Sequence, residues 1–292
     1  MTIPIRIFKA GRFALPLGGR TLVMGIVNVT PDSFSDGGES YSVDSAVSKA
    51  LSQIEAGADI IDIGGESTRP GSIPVSLEDE LSRIIPVIEA LAHRIIIPIS
   101  IDTYKSDVAL QAIRAGASIV NDISAGSFSP AMPKVIAESD VGVVLMHIKG
   151  TPRNMQKDPH YENVVDEVLE YLKLAERSFL NSGVASDHII VDPGIGFGKS
   201  LEHNLKIIRN LYRFQDVGTG VVYGPSRKSF IGLLTGQPIK DRLAGTLGSV
   251  IAGTFLGADI VRVHDVRETV ETLKVADAIR LIDGSVDENT FR

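Results

Sequence analysis

The sequence predicts a (β/α)8 TIM barrel preceded by a short N-terminal β-hairpin, and three observations carry that reading. Eight apolar, β-branched segments recur along the chain, separated by stretches whose apolar residues have helical spacing. A weak internal repeat occurs three times, as Gly57-Ala58-Asp59-Ile60-Ile61-Asp62-Ile63, Gly116-Ala117-Ser118-Ile119-Val120-Asn121 and Gly257-Ala258-Asp259-Ile260-Val261-Arg262-Val263. Nearly every apolar segment also ends in a polar residue, and a barrel keeps its chemistry at the C-terminal ends of its strands. A doubly wound open sheet, the structural rival, has no need of a polar residue at nearly every strand end.

At the start of the chain, residues 5–8 and 13–17 flank Gly11 and read as a small hairpin, with Gly18-Gly19 turning into the first long strand. Barrel strands are expected near 21–28, 59–63, 96–101, 118–121, 141–146, 188–191, 219–223 and 259–263. Helical spacing marks Val43–Ile54, Leu77–Leu91, Val164–Leu180, Leu201–Leu211, Leu243–Phe255 and Val266–Ile282. In the repeat, a helix ends at Gly, which tolerates the left-handed conformation, and an Ile/Val strand follows at once. Such near-continuous apolar strands suit a parallel sheet buried on both faces. A strand, a crossover helix and two loops take roughly 30 residues. No linker or low-complexity tract divides the 292 residues, so one domain over 1–292 is expected.

The first strand illustrates how function enters. Met24 to Asn28 is apolar until its last residue, and Pro31 with the Asp, Ser and Gly that follow cannot continue it. The strand therefore stops near Asn28 and releases a loop carrying Phe34 and Asp36. The longest loops, 28–41, 64–76 and 147–160, all fall on this face, where long loops are usually functional.

Composition narrows the classes of function. A net charge of −7 argues against a nucleic-acid surface, which needs clustered Lys and Arg. With no cysteine, disulfides, thiolate metal sites and a cysteine nucleophile are excluded. Met1 to Lys9 lacks the apolar core of a signal peptide, and the aliphatic run Ile95 to Ile101 is broken by Pro98 and far too short to span a bilayer. A soluble, cytoplasmic protein is expected.

Read in order, the strand ends offer Asn28, Glu66 to Gly71, Asp102, Asn121-Asp122, Met146-His147, Asp192, Ser226-Arg227-Lys228-Ser229, and Arg262 with His264. Taken singly, Asp102 before Thr103 and Asp192 before Pro193 read as turn formers or caps, and Asp62, inside a strand, reads as a partner for interior polar groups. Convergence on one mouth is what makes a site of them. Arg262 and His264, one residue apart on an extended strand, point the same way and with Arg69 suit a diphosphate; a surface pair to carboxylates such as Asp265 is the ordinary reading. Ser226 to Ser229 opens a helix after strand 7, a place where barrels often bind phosphate. Gly194-Ile195-Gly196-Phe197-Gly198-Lys199-Ser200 imitates a P-loop, but Pro193 stands where the first Gly belongs, and a dinucleotide fingerprint fails at Lys199. Residues 193–200 instead read as a flexible loop presenting Phe197, with Ser200 capping the next helix and Asn204 closing its capping box.

These motifs, in this order, closely resemble the dihydropteroate synthase family over essentially the whole chain after residue 20. The resemblance rests on Met24–Gly38, Gly65–Gly71, Ser100–Thr103, Asn121–Ile123, Met146-His147, Asp192–Lys199, Ser226–Gly232 and Arg262–Asp265. It implies that p-aminobenzoate displaces diphosphate from 6-hydroxymethyl-7,8-dihydropterin diphosphate to give 7,8-dihydropteroate. By the same resemblance, Asp102, Asn121, Met146, Asp192 and Lys228 take the pterin, and Asn28, Arg69, Arg262 and His264 hold the diphosphate. Phe34, Thr68, Pro70, Phe197 and Ser229 form the p-aminobenzoate subsite, Asp102, Lys228 and Asp36 act in catalysis, Asn28 binds Mg²⁺, and the protein is a homodimer. The rivals are a pterin-dependent methyltransferase domain, a Schiff-base aldolase using Lys228, and a non-catalytic pterin-binding module.

Overall fold

The structure is a computed structural model, and it describes residues 5–29 and 43–282. Strands β1 (Arg6–Ala10) and β2 (Phe13–Leu17) pair antiparallel, Ala10 opposite Phe13, as the hairpin expected around Gly11. The chain then alternates through β3 (Leu22–Asn28), α1 (Val43–Glu55), β4 (Ile60–Gly64), α2 (Leu77–Ala92), β5 (Ile99–Asp102) and α3 (Ser106–Ala115). It continues through β6 (Ile119–Asp122), α4 (Met132–Ala137), β7 (Gly142–Met146), α5 (Val164–Asn181), β8 (Ile189–Asp192) and α6 (Leu201–Arg209). It finishes with β9 (Val222–Tyr223), α7 (Ser229–Thr235), α8 (Leu243–Phe255), β10 (Ile260–Val263) and α9 (Val266–Leu281).

The eight strands β3 to β10 are all parallel and lie in the order β8-β7-β6-β5-β4-β3-β10-β9. A bridge between Val191 and Val221 joins the two ends of this sheet, which makes it a barrel. Two elements depart from the expected bounds. β5 begins only at Ile99, because Pro98 has no N–H to donate to a neighbouring strand. β9 is confined to Val222–Tyr223, shorter than the expected 219–223, and the crossover after it holds both the helix expected to open at Ser226–Ser229 (α7) and the one expected over Leu243–Phe255 (α8).

Local chemistry explains the boundaries. The repeat glycines Gly57, Gly116 and Gly257 have φ of 100°, 124° and 110°, so each ends its helix in a conformation that a side chain would strain. Ser76 and Asn163 accept the N–H groups of Asp79 and Asp166 and start α2 and α5. Ser200 caps α6, but the capping box is closed by His203, whose Nδ1 takes the Ser200 N–H; Asn204 turns inward to the loop before the helix.

The core has three parts, the smallest of which packs Ile123, Met146, Ile148, Met155 and Phe197 together. Between strands and helices runs a shell of Ile, Val and Leu, as periodicity required. Inside the barrel, Met24, Ile60, Ile119, Val144, Ile190, Val222 and Ile260 pack with Phe8 and Leu17 of the hairpin. The hairpin is thus a plug, and each of those two side chains contributes about 1.5–3 kcal/mol by burial. The apolar packing leaves the strand ends as the polar part of the interior. Among the described residues no helix is long and apolar enough to cross a membrane.

Candidate active site

At the C-terminal strand ends, register brings the polar residues into one ring. Asn28 stands beside Gly64, Gly64 beside Asp102, Asp102 beside Asn121, and Met146 beside Asp192. A pocket enclosing ≈ 340 Å³ opens there, lined by Thr68, Asp102, Asn121, Ile123, Met146, Asp192, Ile195, Phe197, Gly224, Lys228 and Arg262. All five residues expected to take the flat heterocycle therefore share one cavity, together with Thr68 and Phe197.

Arg262 organises the floor of this pocket. Its Nε donates to Asp62 Oδ2 at 2.6 Å and its Nη2 to Asp102 Oδ2 at 2.6 Å, while Asn121 Nδ2 donates to Asp62 Oδ2 at 3.2 Å. Arg262 is thus committed to two carboxylates within the barrel, where sequence reasoning had it standing beside His264 as a free cation. Asp62, set aside as an interior partner, is the buried hub of the site. A signal for it was present, because Asp62, Asn121 and Arg262 are the sixth residues of the three repeats and meet here.

Burial and charge set the protonation of these groups. Burial pushes the Asp102 carboxyl up to about 7; Arg262 opposes that rise and Asp62 adds to it. Burial also raises Asp192, against the pull of the Gly194 N–H and Lys228. Lys228 is pushed down to about 8 by burial and then by Arg262, with Asp192 and Asp102 opposing. Its Nζ lies 4.1 Å from the centre of the Phe197 ring. For Arg262 burial favours the neutral form, but Asp62 and Asp102 more than reverse this and keep it charged.

The loop after β8 is a fixed wall, contrary to the flexible segment expected from its glycines. Lys199 is buried, and its Nζ reaches His147 Nδ1 at 2.8 Å, Gly194 O at 2.9 Å and Phe197 O at 2.9 Å. Asp192 Oδ1 accepts the Gly194 N–H at 2.7 Å, and Asn204 Oδ1 accepts that of Gly196 at 2.7 Å. Gly194 has φ of 70°, and a Cβ there would lie 1.9 Å from His147 O. Only glycine lets the two backbones approach so closely. Lys199→Met should lower stability by about 2–4 kcal/mol, because two buried carbonyls lose their donor and His147 Nδ1 loses its partner. A urea midpoint equal to the wild type would contradict the stapling role.

The presumed anion side is less simply cationic than the sequence implied. Ser226 Oγ accepts the His264 N–H at 3.2 Å and lies 2.9 Å from His264 Nδ1. With the hydroxyl donating to Nδ1, a neutral His264 carries its ring proton on Nε2. Burial, then Arg262, Arg227, Lys49 and Arg69, push His264 down to about 3, so it is a neutral donor and not a cation. Arg227 is paired with Asp265, through Nε at 3.0 Å and Nη2 at 2.5 Å, and the carboxylate weighed as a partner for Arg262 or His264 is taken. Arg69, Pro70 and Ser229 are exposed. Asp122, by contrast, is the turn former that an isolated Asp suggests, bonded to Ser124 and Gly126.

Loop 64–76, which carries Thr68, Arg69 and Pro70, is anchored by groups not singled out from the sequence. Glu66 accepts from Lys105 Nζ at 2.6 Å, from Tyr104 Oη at 2.7 Å and from Val75 N at 3.1 Å; Lys105 also meets Glu80 at 2.6 Å. The Gly71 N–H bonds Pro152 O at 2.9 Å, linking this loop to 147–160. Phe34 and Asp36 lie outside the described residues.

Asn28 is half-buried at the end of β3, and no hydrogen bond of its side-chain amide occurs among the described residues. Nor, among those residues, do three His, Asp or Glu side chains converge as a metal-binding group. A single neutral oxygen of this kind fits Mg²⁺, which keeps water and leans on substrate phosphates, and fits no cation that needs a full protein cage.

Comparison with known proteins agrees with this geometry. The family model described as pterin binding enzyme matches residues 24–264. A dihydropteroate synthase of Synechocystis sp. is 46% identical over 270 residues, covering 92% of this chain and 93% of its own. The solved structure of Xanthomonas albilineans dihydropteroate synthase with 4-aminobenzoic acid superposes with a TM-score of 0.90 at 41% identity, covering 96% of this chain and 100% of that one. That of Burkholderia cenocepacia complexed with 7,8-dihydropteroate gives 0.86 at 38% identity, covering 95% and 98%.

Proposed function

Because this chain belongs to the dihydropteroate synthase family of pterin-binding enzymes, we propose that its strand-end pocket is the pterin slot of that transferase reaction. The enzyme condenses 6-hydroxymethyl-7,8-dihydropterin diphosphate with p-aminobenzoate, giving 7,8-dihydropteroate and diphosphate. The observation that carries the residue roles is the meeting of Asp102, Asn121, Met146, Asp192 and Lys228 in one cavity.

The pterin's pyrimidinone edge offers an amino group and a ring N–H beside a carbonyl. Asp192, with Oδ1 on the Gly194 N–H, has Oδ2 for the two donors. Lys228 donates to the carbonyl, Met146 packs on the ring face, and Asn121 and Asp102 meet the remaining ring edge. The methylene then stands at the mouth, toward Asn28, Arg69 and neutral His264, which donates through Nε2 to the diphosphate. Arg262 contributes the positive field behind it. Asn28 would hold Mg²⁺, which would supply charge neutralisation for the leaving diphosphate. The C–O bond breaks first, leaving a cation delocalised into the electron-rich ring, with Asp36 adding a stabilising negative charge. The p-aminobenzoate amine forms the new C–N bond and loses a proton. Thr68, Pro70, Phe197 and Phe34 enclose that amine's ring, and Ser229 takes its carboxylate. Closure of these loops excludes water from the cation.

Asp102 and Lys228 predict a pH profile. Asp102 is ionised only above about 7, and Lys228 is charged only below about 8. The kcat/KM for the pterin diphosphate, which reports the free enzyme, should be a narrow bell between these limbs. A flat profile from about pH 6 to 9 would contradict the pairing.

We also assign the enzyme to the cytoplasm as a one-domain homodimer. The support for the dimer is α8, which buries Thr246, Val250, Gly253 and Thr254 yet exposes Ile251 and Phe255, beside exposed Leu233, Leu234, Val275 and Ile279. Light scattering should give twice the chain mass, and Phe255→Glu should halve it; a monomeric wild type would refute the dimer. The reaction itself is tested by diphosphate release that requires both substrates and Mg²⁺. Release without p-aminobenzoate, or methyl transfer to a corrinoid, would favour a different enzyme.

A further inference from the structure

We infer that Lys105 is a positioning residue for the second substrate, because it clamps both ends of loop 64–76 to the junction that follows β5. This rests on the p-aminobenzoate subsite proposed above, to which Thr68 and Pro70 of that loop belong.

Lys105 is the N-cap residue of α3, just past the strand end that carries Asp102. A cation is disfavoured at a helix N-terminus, and this side chain makes no capping bond. The ammonium turns to the loop instead. Its Nζ reaches Glu66 Oε2 at 2.6 Å, Val75 O at 2.7 Å and Glu80 Oε2 at 2.6 Å. All three of its N–H groups are thus taken, at the start of the loop, at its end and in the first turn of α2. Glu66 Oε2 also accepts the Val75 N–H at 3.1 Å, which closes the neck. Glu66 and Glu80 are buried, so solvent does not screen these bonds as it would a surface pair.

A second arm comes from the pocket wall. Tyr104 Oη donates to Glu66 Oε1 at 2.7 Å, and its ring lies edge-on to Phe128 and packs against the cluster that holds Met146 and Phe197. The neck is therefore fixed from two sides, whereas the span it carries has little else to hold it. Among the described residues, 67–74 makes one hydrogen bond outside itself, from the Gly71 N–H to Pro152 O at 2.9 Å. The place of Thr68 and Pro70 over the mouth is consequently set at Glu66 and Val75. Removing the ammonium leaves two buried carboxylates facing each other across the neck, and they push it open. The substrate that the loop touches then binds more weakly, while a heterocycle held by Asp192 and Lys228 keeps its contacts.

The test uses the whole protein and two readouts. One is the KM for p-aminobenzoate, from diphosphate release with Mg²⁺ present; the other is the Kd for 6-hydroxymethyl-7,8-dihydropterin, by calorimetry. Lys105→Met should raise the KM about tenfold while the Kd stays within about twofold, a split that a merely structural role would not produce. Should Lys105→Met not fold, Tyr104→Phe keeps the ring and every buried charge, frees Glu66 Oε1 and must raise the KM about threefold with the Kd unmoved. A KM equal to the wild type in a variant that melts cooperatively overturns the inference and leaves the pterin-transfer reading standing. So does a Kd that rises in step with the KM, the mark of a general loosening. A wild type that releases no diphosphate overturns both.

Discussion

Asp192→Ala is expected to lower affinity for 6-hydroxymethyl-7,8-dihydropterin roughly 10⁴-fold, because the ligand's amino group and ring N–H would be buried without an acceptor. Asp192 is 5% exposed, and one of its oxygens is already held by the Gly194 N–H at 2.7 Å. The carboxylate is therefore preset, and the protein has no second carboxylate on that side of the pocket to replace it among its lining residues. Asp192→Asn keeps the backbone contact but offers one acceptor fewer, so its loss should be smaller. Near-normal affinity of Asp192→Ala by calorimetry would remove the residue from the slot.

Arg262→Met is expected to be the most destabilising of the site substitutions, by about 3–5 kcal/mol, since it leaves buried carboxylates without their counter-charge. Asp62 and Asp102 each lose a 2.6 Å partner. The sign of the pH dependence follows from Asp102, whose folded carboxyl is already raised to about 7. Between the ordinary carboxylate range and that value the folded state binds the extra proton, so stability falls as pH rises. Without Arg262 the opposing pull is gone and the window extends upward, making the defect larger at pH 8 than at pH 5 (about a 3-unit span). Denaturant titrations at the two pH values check this, and an equal loss at both would contradict it. Adding Asp62→Leu should recover part of the loss.

How much of this was legible in the chain differs between fold and site. The barrel was written in patterns that local physics controls, the glycine-ended helices and the Ile/Val strands after Gly57, Gly116 and Gly257. That Asp102, Asn121, Met146, Asp192 and Lys228 share one pocket was legible because strand ends converge by topology alone. What side chains do once there was not. Nothing local says that Arg262 turns to Asp62 and Asp102, or that Ser226 and burial make His264 a neutral donor. Lys199 sat in a glycine-rich run that reads as mobile, and only its contacts with His147 and two carbonyls show that it is a staple. Glu66 and Lys105 lie 39 residues apart and meet only in the folded protein.

The central claim is that one cavity at the barrel mouth holds the flat heterocycle against Asp192 and Lys228. A crystal structure with 6-hydroxymethyl-7,8-dihydropterin bound tests it most directly. The account predicts the ring inside that cavity, its amino group and ring N–H on Asp192 and its carbonyl on the Lys228 ammonium. A ring bound elsewhere, or lying in the cavity with Asp192 bonded only to Gly194, would contradict it.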